Sequence, residues 1–553
     1  MGILPGRKSK NVTRRNFLRA SAAGAAAVLA GGGAALPSQA SSASSGTALL
    51  SGPGAGPSFP PPAASPLARR RRYAIVGTGG RHYMYHEAIL GRFAATSELV
   101  GLCDTNPGRV KLSQDRARAK TGTTVPGYAA SDFDKMIAET KPDAVIVTTV
   151  DAFHHEYICR ALELGADAIS EKPMTNRAEH CRHVLDAAKK TGRRLRVTFN
   201  YRYSPPRTQV KDLLMGGVIG DILSVDFHWM LNTSHGADYF RRWHSQKKFS
   251  NGLMCHKACH HFDLVNWWLS AVPVSVFATG KREFYTPQTA RRFGLQGPHE
   301  RCRTCPEKAA CGFYLDLAAS PDLKALYLAN ESYDGYFRDR CVFRPEIDIE
   351  DTMNVLVGYD NNVTLCYSVN GFNAGEGYGI AFNGTKGRLE HKSEESVYIS
   401  NDGRVPGALK RDGTYIRVYP LREPGYSVDV WTGEGGHGGG DDVMLEDIFG
   451  ADPKPDKYMR NADHRSGAYG CLIGIAANMC FQIGQPVQQA LVLQPEVGVR
   501  VGHALSGHPL RPLGDIPSCL VEIPARINGN RRSGRGPASG QPPREGRARC
   551  RRS

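Results

Sequence analysis

Three residues of this 553-residue chain, Lys172, His256 and His260, have the types and spacing for proton and hydride chemistry at a hydroxyl-bearing carbon. Lys172 stands in Glu171-Lys172-Pro173, at the end of an apolar run downstream of the loop Gly77-Thr78-Gly79-Gly80. An ammonium there can stabilise an alkoxide, and an imidazole can take the hydroxyl proton as that alkoxide forms. His256 and His260 lie in Cys255-His256-Lys257-Ala258-Cys259-His260-His261-Phe262-Asp263, ahead of the apolar stretch beginning at Leu264. Read as one helix, the segment puts His256, His260 and Asp263 on one face at i, i+4 and i+7. His260 is the expected general base, Lys172 its electrostatic partner, and His256 an orienting or relaying group. Histidines four apart also bind metal, so a zinc site or a purely structural role stays open.

Such side chains need a frame. Tyr73-Ala74-Ile75-Val76 is a short apolar strand running straight into Gly77-Thr78-Gly79-Gly80-Arg81, and helical spacing follows. This is the context of a dinucleotide loop, in which glycines let the backbone approach a pyrophosphate and helix-terminal amides meet its charge. The third glycine of the G-x-G-x-x-G pattern is replaced by His82. A second apolar strand ends in Asp104, where a carboxylate can accept the adenosine ribose hydroxyls and repel a 2′-phosphate. NAD is therefore the expected cofactor. Arg109 nearby keeps NADP open, and capping of the next helix is the structural alternative for Asp104.

Further strands at 144–149 and 168–170, with a helical segment between them, predict a doubly wound parallel sheet. Ligands of such sheets bind at the carboxyl edge. Gly77, Gly79, Gly80, Arg81, Asp104, Thr149, His154, Glu171 and Lys172 are the expected cofactor contacts. Beyond Pro205 the pattern alternates, as in 222–229 and 353–368, and predicts a mostly antiparallel sheet carrying the substrate site.

The order of glycine loop, acid-ended second strand, Thr149…His154, Glu171-Lys172-Pro173 and Asn200-Tyr201-Arg202-Tyr203-Ser204-Pro205 resembles the Gfo/Idh/MocA oxidoreductases over roughly residues 72–490. The resemblance implies an α/β chain with an N-terminal Rossmann domain and a C-terminal α+β domain with a mostly antiparallel open sheet. It also implies an NAD(P)-dependent oxidoreductase acting on CH–OH groups, with Lys172 touching both cofactor and substrate. Tyr201, Arg202 and Asp263 are expected on the substrate side, and homodimers or homotetramers built sheet to sheet are expected in solution. Two departures stand out. The family pattern T-P-N-x-x-H reads Thr149-Val150-Asp151-Ala152-Phe153-His154, and in D-x-x-x-H the aspartate position holds His256. An aspartate beside His260 would raise its pKa, whereas a protonated second imidazole lowers it.

The formal charge of +17 suggests a nucleic-acid or membrane surface, but residues 1–72 carry +10 and residues 525–553 carry +8. Removing both leaves −1 for the 452 residues between. A nucleic-acid partner is not expected. Thr13-Arg14-Arg15-Asn16-Phe17-Leu18-Arg19, a soft Ala/Gly/Leu run and Ser38-Gln39-Ala40 read as a twin-arginine export signal over 1–40. That run is too short and Gly/Ala-rich for a stable membrane span. The twin-arginine machinery carries folded proteins, so the signal predicts a periplasmic or extracellular destination and a tightly held cofactor.

Residues 41–71 read as a Ser/Gly/Pro-rich linker, 72–198 as the dinucleotide-binding domain and 199–493 as the substrate domain. A Cys-containing insertion lies near 285–345, and 494–553 reads as a disordered basic tail. Cys302, Cys305, Cys311 and Cys341 could hold zinc or an iron–sulfur cluster, and disulfides compete in an exported protein. The turn Gly436-His437-Gly438-Gly439-Gly440-Asp441-Asp442 is expected to line the substrate cleft. The apolar run from Cys471 to Asn478 is expected to pack on the first domain.

The leading expectation is an exported oxidoreductase acting on a hydroxyl of a sugar, polyol or glycoside. Outside the cytosol no nicotinamide pool is at hand, so the cofactor must be reset in place. A second sugar-like substrate could do this. Alternatively the hydride could return to the same molecule, in a redox-neutral glycosidase acting by oxidation and elimination. A non-catalytic sugar-binding protein is the third alternative.

Overall fold

Short strands, most of them carrying buried branched apolar residues, build the first sheet. Its strands are β1 (Arg71–Val76), β2 (Ser97–Asp104), β3 (Gly127–Ala129), β4 (Ala144–Val147), β5 (Asp167–Ser170) and β6 (Leu195–Val197). They pair in parallel in the order β3-β2-β1-β4-β5-β6. Ala74, Ile75, Val76, Val145, Ile146 and Val147 are all buried, as strands covered on both faces must be. The cover comes from α1 (His82–Leu90), α2 (Pro107–Thr121), α3 (Phe133–Thr140), α4 (His154–Glu163) and α5 (Ala178–Thr191). Local sequence sets their ends. In α2 the Asn106 side chain accepts from the Arg109 amide, Pro107 opens the helix, and Gly122 closes it at φ 73°. Strand order reverses between β1 and β4, which places a ligand crevice at their carboxyl ends.

The structure is a computed structural model that describes residues 69–396, 407–452 and 455–488. The export signal, nearly all of the linker and the basic tail expected from the sequence lie outside the described residues.

The second sheet contains β7 (Ile222–Asn232), β8 (Pro273–Lys281), β9 (Thr352–Tyr359), β10 (Thr364–Asn373), β11 (Glu376–Gly384), β12 (Gly387–Glu395), β13 (Tyr415–Pro420), β14 (Tyr426–Val428) and β15 (Val487–Gln488). Their order is β14-β13-β12-β11-β7-β10-β9-β8-β15. Every neighbour is antiparallel except the β7–β10 pair. In β9, Met353, Val355 and Val357 are buried while Asn354 and Leu356 face outward, the period-two pattern of a sheet covered on one face. The covered face shares a core with helices Pro205–Met215, Cys259–Leu269 and His464–Ile483. The doubly wound first domain and mostly antiparallel second domain agree with the fold class read from the sequence.

His464–Ile483 is the one described helix long and apolar enough to cross a membrane, and it is mostly buried. Ala468, Cys471 and Leu472 join the core of the first domain, while Ile473, Ala477 and Cys480 join that of the second. Its Gly474 lies against the Met254 carbonyl, where an added Cβ would stand 2.3 Å from the oxygen.

Candidate active site

The glycine loop forms where β1 passes into α1. Gly77 has φ 91°, and a Cβ there would lie 2.6 Å from the carbonyl carbon of Thr148, so glycine alone lets the ends of β1 and β4 approach. Gly79 has open space where its Cβ would be. His82 turns inward, with Nδ1 2.5 Å from the Gly79 carbonyl oxygen and Nε2 2.8 Å from Ser113 Oγ on α2. Burial pushes its pKa down to about 3, so it adds no charge to the loop.

Asp104 holds the loop from the other side. Its Oδ2 accepts from the Thr78 amide at 2.5 Å and the Thr78 hydroxyl at 3.0 Å, and its Oδ1 accepts from the Asn106 amide at 2.8 Å. The cap of α2 is Asn106. An open glycine flank, a helix N-terminus and a carboxylate ending β2 fit a dinucleotide with an unphosphorylated adenosine ribose.

Glu171 is buried and accepts from Arg81 Nε at 2.6 Å and the Tyr85 hydroxyl at 2.7 Å. Burial pushes its pKa up, but Arg81, Tyr85 and Lys172 outweigh that and hold it below the usual carboxylate value. Arg81 thereby ties the glycine loop to the segment that carries Lys172. His154 is buried with Nδ1 2.8 Å from the Pro173 oxygen and Nε2 3.1 Å from the Thr149 oxygen. It clamps together the loops that follow β4 and β5.

The single helix expected across 255–269 is broken. Gly252–His256 and Cys259–Leu269 are separate helices, and the Ala258 amide reaches back to the Leu253 oxygen at 2.8 Å. The His260 amide bonds the Lys257 oxygen at 3.3 Å rather than the His256 carbonyl that a continuous helix would offer. Lys172 Nζ donates to that carbonyl at 3.2 Å. The break is what seats Lys172 beside the histidines.

Around Lys172 the two departures from the resembled pattern meet: His256 Nδ1 lies 2.6 Å from Asp151 Oδ2. The carboxylate missing from position 256 is supplied from the loop after β4. Burial pushes Asp151 well above its ordinary value although Lys172 opposes it. Burial, with Lys172 and Arg242, pushes His256 well below its own. Each shift runs toward the neutral form of its group.

His260 stacks on Tyr201 at 4.3 Å between ring centroids and 18° between planes. Its Nδ1 is buried without a hydrogen-bond partner. Burial, then the charges of Lys172 and Lys257, push it well below its ordinary value. Lys257 is buried, donates to the Tyr201 hydroxyl at 3.1 Å, and is itself lowered to about 8 by burial. Arg202 and Asp263 turn to each other in a bidentate buried pair, Nε to Oδ2 at 2.7 Å and Nη2 to Oδ1 at 2.6 Å. That pair braces the segment carrying Tyr201 against the helix carrying His260.

The glycine-rich turn at 436–440 is built by left-handed backbone at His437, Gly438 and Gly439, with φ 53°, 68° and 81°. It places His437 Nδ1 2.7 Å from Asp441 Oδ2, while Asn200 Nδ2 donates to Asp441 Oδ1 at 2.7 Å. Burial works against the Asp441 charge, but His437, Arg81 and Asn200 outweigh it and hold the carboxyl well below its usual range. His437 also acts on His260, so the turn contributes to the same site. Asp151 and Lys257 were not among the expected catalytic residues. The paired departures from the family pattern were the only signal for Asp151, and Lys257 had none.

The cysteine expectation needs correction. Cys302, Cys305, Cys311 and Cys341 do line one cavity, with Arg241 and Phe313. All four are free thiols, and Cys302 Sγ accepts from Arg241 Nη1 at 3.3 Å. No three His, Cys, Asp or Glu side chains among the described residues are arranged to hold a metal ion. Neither the metal centre nor the disulfide alternative is formed. His256 and His260 belong to no such arrangement among the described residues either.

Two family models match the chain. "Oxidoreductase family, NAD-binding Rossmann fold" matches residues 71–199, and "Oxidoreductase family, C-terminal alpha/beta domain" matches residues 211–488, both of Gfo/Idh/MocA type. The chain belongs to the Gfo/Idh/MocA oxidoreductase family. Within it, the chain is 37% identical over 399 residues to the putative oxidoreductase YteT of Bacillus subtilis, an alignment covering 71% of this chain and 91% of YteT. It is 28% identical over 203 residues to glycosyl hydrolase family 109 protein 1 of Akkermansia muciniphila, covering 35% of this chain and 41% of that protein.

Among solved structures, the WlbA dehydrogenase of Chromobacterium violaceum in complex with NADH and UDP-GlcNAcA matches with a TM-score of 0.51 at 19% identity. That match covers 76% of this chain and 96% of WlbA, and it supports the fold. As a Gfo/Idh/MocA protein with an NAD-binding Rossmann domain, the chain is an NAD(P)-dependent oxidoreductase acting on CH–OH groups.

Proposed function

We propose that this Gfo/Idh/MocA protein is an exported oxidoreductase that oxidises a hydroxyl-bearing carbon of a sugar, polyol or glycoside while keeping its nicotinamide cofactor bound. The observation that carries the reading is Lys172, seated on the His256 carbonyl beside the buried, neutral His260. The dinucleotide, when bound, supplies the hydride acceptor. Gly77, Gly79, Gly80, Arg81, Asp104, Thr149 and Glu171 shape or border its seat. His260 takes the hydroxyl proton, and Lys172 stabilises the negative charge that develops on that oxygen. The Asp151–His256 pair positions Lys172 through the His256 backbone and can pass a proton without acquiring net charge.

A second reading is a redox-neutral glycosidase acting by oxidation and elimination, favoured by the similarity to a glycosyl hydrolase family 109 protein. One assay separates the two. The nucleotide retained on purification is released and identified, and the holoenzyme is then offered a panel of carbohydrates. A changed nicotinamide absorbance without glycoside cleavage supports the oxidoreductase, cleavage without net absorbance change supports the glycosidase, and neither supports a sugar-binding protein.

Export rests on the twin-arginine motif at 13–19, and a signal-to-reporter fusion blocked by Arg14→Lys/Arg15→Lys tests it. We further propose pairing of two copies through the outer face of the second sheet, where Leu223 and Leu356 are 58% and 47% exposed. Light scattering should give at least a dimer, and a monomer at micromolar concentration would remove that proposal.

A further inference from the structure

Arg109 lies on α2 with Nη1 3.9 Å from the Asp104 carboxylate that ends β2, the position at which an arginine commonly accepts the 2′-phosphate of NADP. Here the guanidinium has other partners. Nη2 donates to Asp334 Oδ2 at 2.5 Å, Nη1 lies 3.9 Å from Asp104 Oδ1, and the group sits 5.9 Å and 5.8 Å from the ring centres of Tyr327 and Tyr336. Its Nε is buried without a partner. Asp334 ends the short helix Glu331–Asp334, inside the insertion that the substrate domain makes between β8 and β9.

The insertion meets the dinucleotide-binding domain at other points as well. The Gly80 amide donates to the Tyr327 hydroxyl at 3.2 Å, and Asn106 Nδ2 donates to the Asn330 carbonyl at 3.0 Å. At Gly108 a Cβ would stand 1.9 Å from Asn330 Oδ1, so the close fit of the two segments depends on glycine. Leu317, Leu323, Leu326 and Tyr327 form a small separate apolar cluster that partly buried Tyr83 and Leu112 of the first domain complete.

The geometry points to Asp334 as a specificity-determining residue for the cofactor, acting from the substrate domain to keep Arg109 from a 2′-phosphate. Two carboxylates, Asp104 and Asp334, flank one guanidinium, so these three groups together carry one net negative charge. A 2′-phosphate brought there meets repulsion, whereas a free 2′-hydroxyl does not. With Asp334 neutralised, Arg109 keeps one carboxylate partner and regains a free face of nitrogens. This inference rests on the nicotinamide-dependent reading above.

The test frees full-length protein of its bound nucleotide, equilibrates it with equimolar NAD⁺ and NADP⁺, desalts it, and counts the retained nucleotides by mass spectrometry. The wild type should retain NAD⁺. Asp334→Asn should raise the NADP⁺:NAD⁺ ratio at least tenfold, and Asp334→Asn/Arg109→Ala should return it to the wild-type value. The Asp334 side chain is 21% exposed, and thermal melts of each variant check that folding is kept. An unchanged ratio in Asp334→Asn would overturn the inference and leave selection to Asp104 alone, with NAD⁺ use intact. Retention of neither nucleotide by the wild type would instead strike the nicotinamide-dependent reading.

Discussion

At the scale of single residues, His256, His260 and Lys257 are basic groups whose pKa values burial and neighbouring charges push down. His260 lies well below its ordinary pKa because it is buried and faces Lys172 and Lys257. It must be neutral to accept a proton, so activity in the oxidising direction should persist to lower pH than an ordinary imidazole, near 6.5, would allow. Lys257→Met removes one of the depressing charges and should shift the acid limb of kcat/KM to higher pH; a limb that stays in place would remove His260 from the role of base.

Lys257 also carries a stability signature. Its folded pKa of about 8 lies below its ordinary 10.5, so between those values the unfolded chain binds a proton that the folded chain lacks. Stability from this group should therefore rise with pH across that window, and the rise should be absent from melting curves of Lys257→Met. Lys172→Ala should lower kcat by about 10²–10³-fold, the usual loss when a stabiliser of a developing oxyanion is removed, with nucleotide retention unchanged.

At the scale of elements, close backbone approaches decide more than propensity does. Gly474→Ala would push a methyl group onto the Met254 carbonyl and should cost about 1–3 kcal/mol, read as a lower urea midpoint at unchanged slope. β1, β2 and β4 were legible because buried parallel strands announce themselves as unbroken apolar runs ending in glycine, acid or threonine. The break at Lys257 and Ala258 was not legible. No glycine or proline marks it, and the bond that makes it useful comes from Lys172 on another domain. Asp151 was half legible: its departure from the family pattern was visible, but its partner His256 lies 105 positions away, and only the fold brings the two together. The pairing of Arg202 with Asp263 was hidden for the same reason, since spacing gives a face and not an occupant.

At the scale of the whole molecule, the substrate domain reaches across to the cofactor domain at three levels. The glycine-rich turn brings Asp441 beside Arg81 at 3.8 Å, helix His464–Ile483 joins both cores, and the insertion touches the glycine loop through Tyr327. These links suit a cofactor that stays in place between turnovers, which is what export by the twin-arginine route would require. The insertion was the least legible part of the chain. Its cysteines drew attention as ligands, whereas Tyr327, Asn330 and Asp334 are among the residues through which it contacts the dinucleotide domain.

The central claim is that Lys172 and His260 perform the chemistry on a carbohydrate hydroxyl. It is tested most directly by comparing the purified holoenzyme with Lys172→Ala and His260→Ala on the same carbohydrate panel. Nucleotide content is measured alongside nicotinamide absorbance and product. The account predicts turnover by the wild type, loss of turnover in both variants, and equal nucleotide retained by all three. Variants that retain nucleotide and turn over at the wild-type rate would contradict it.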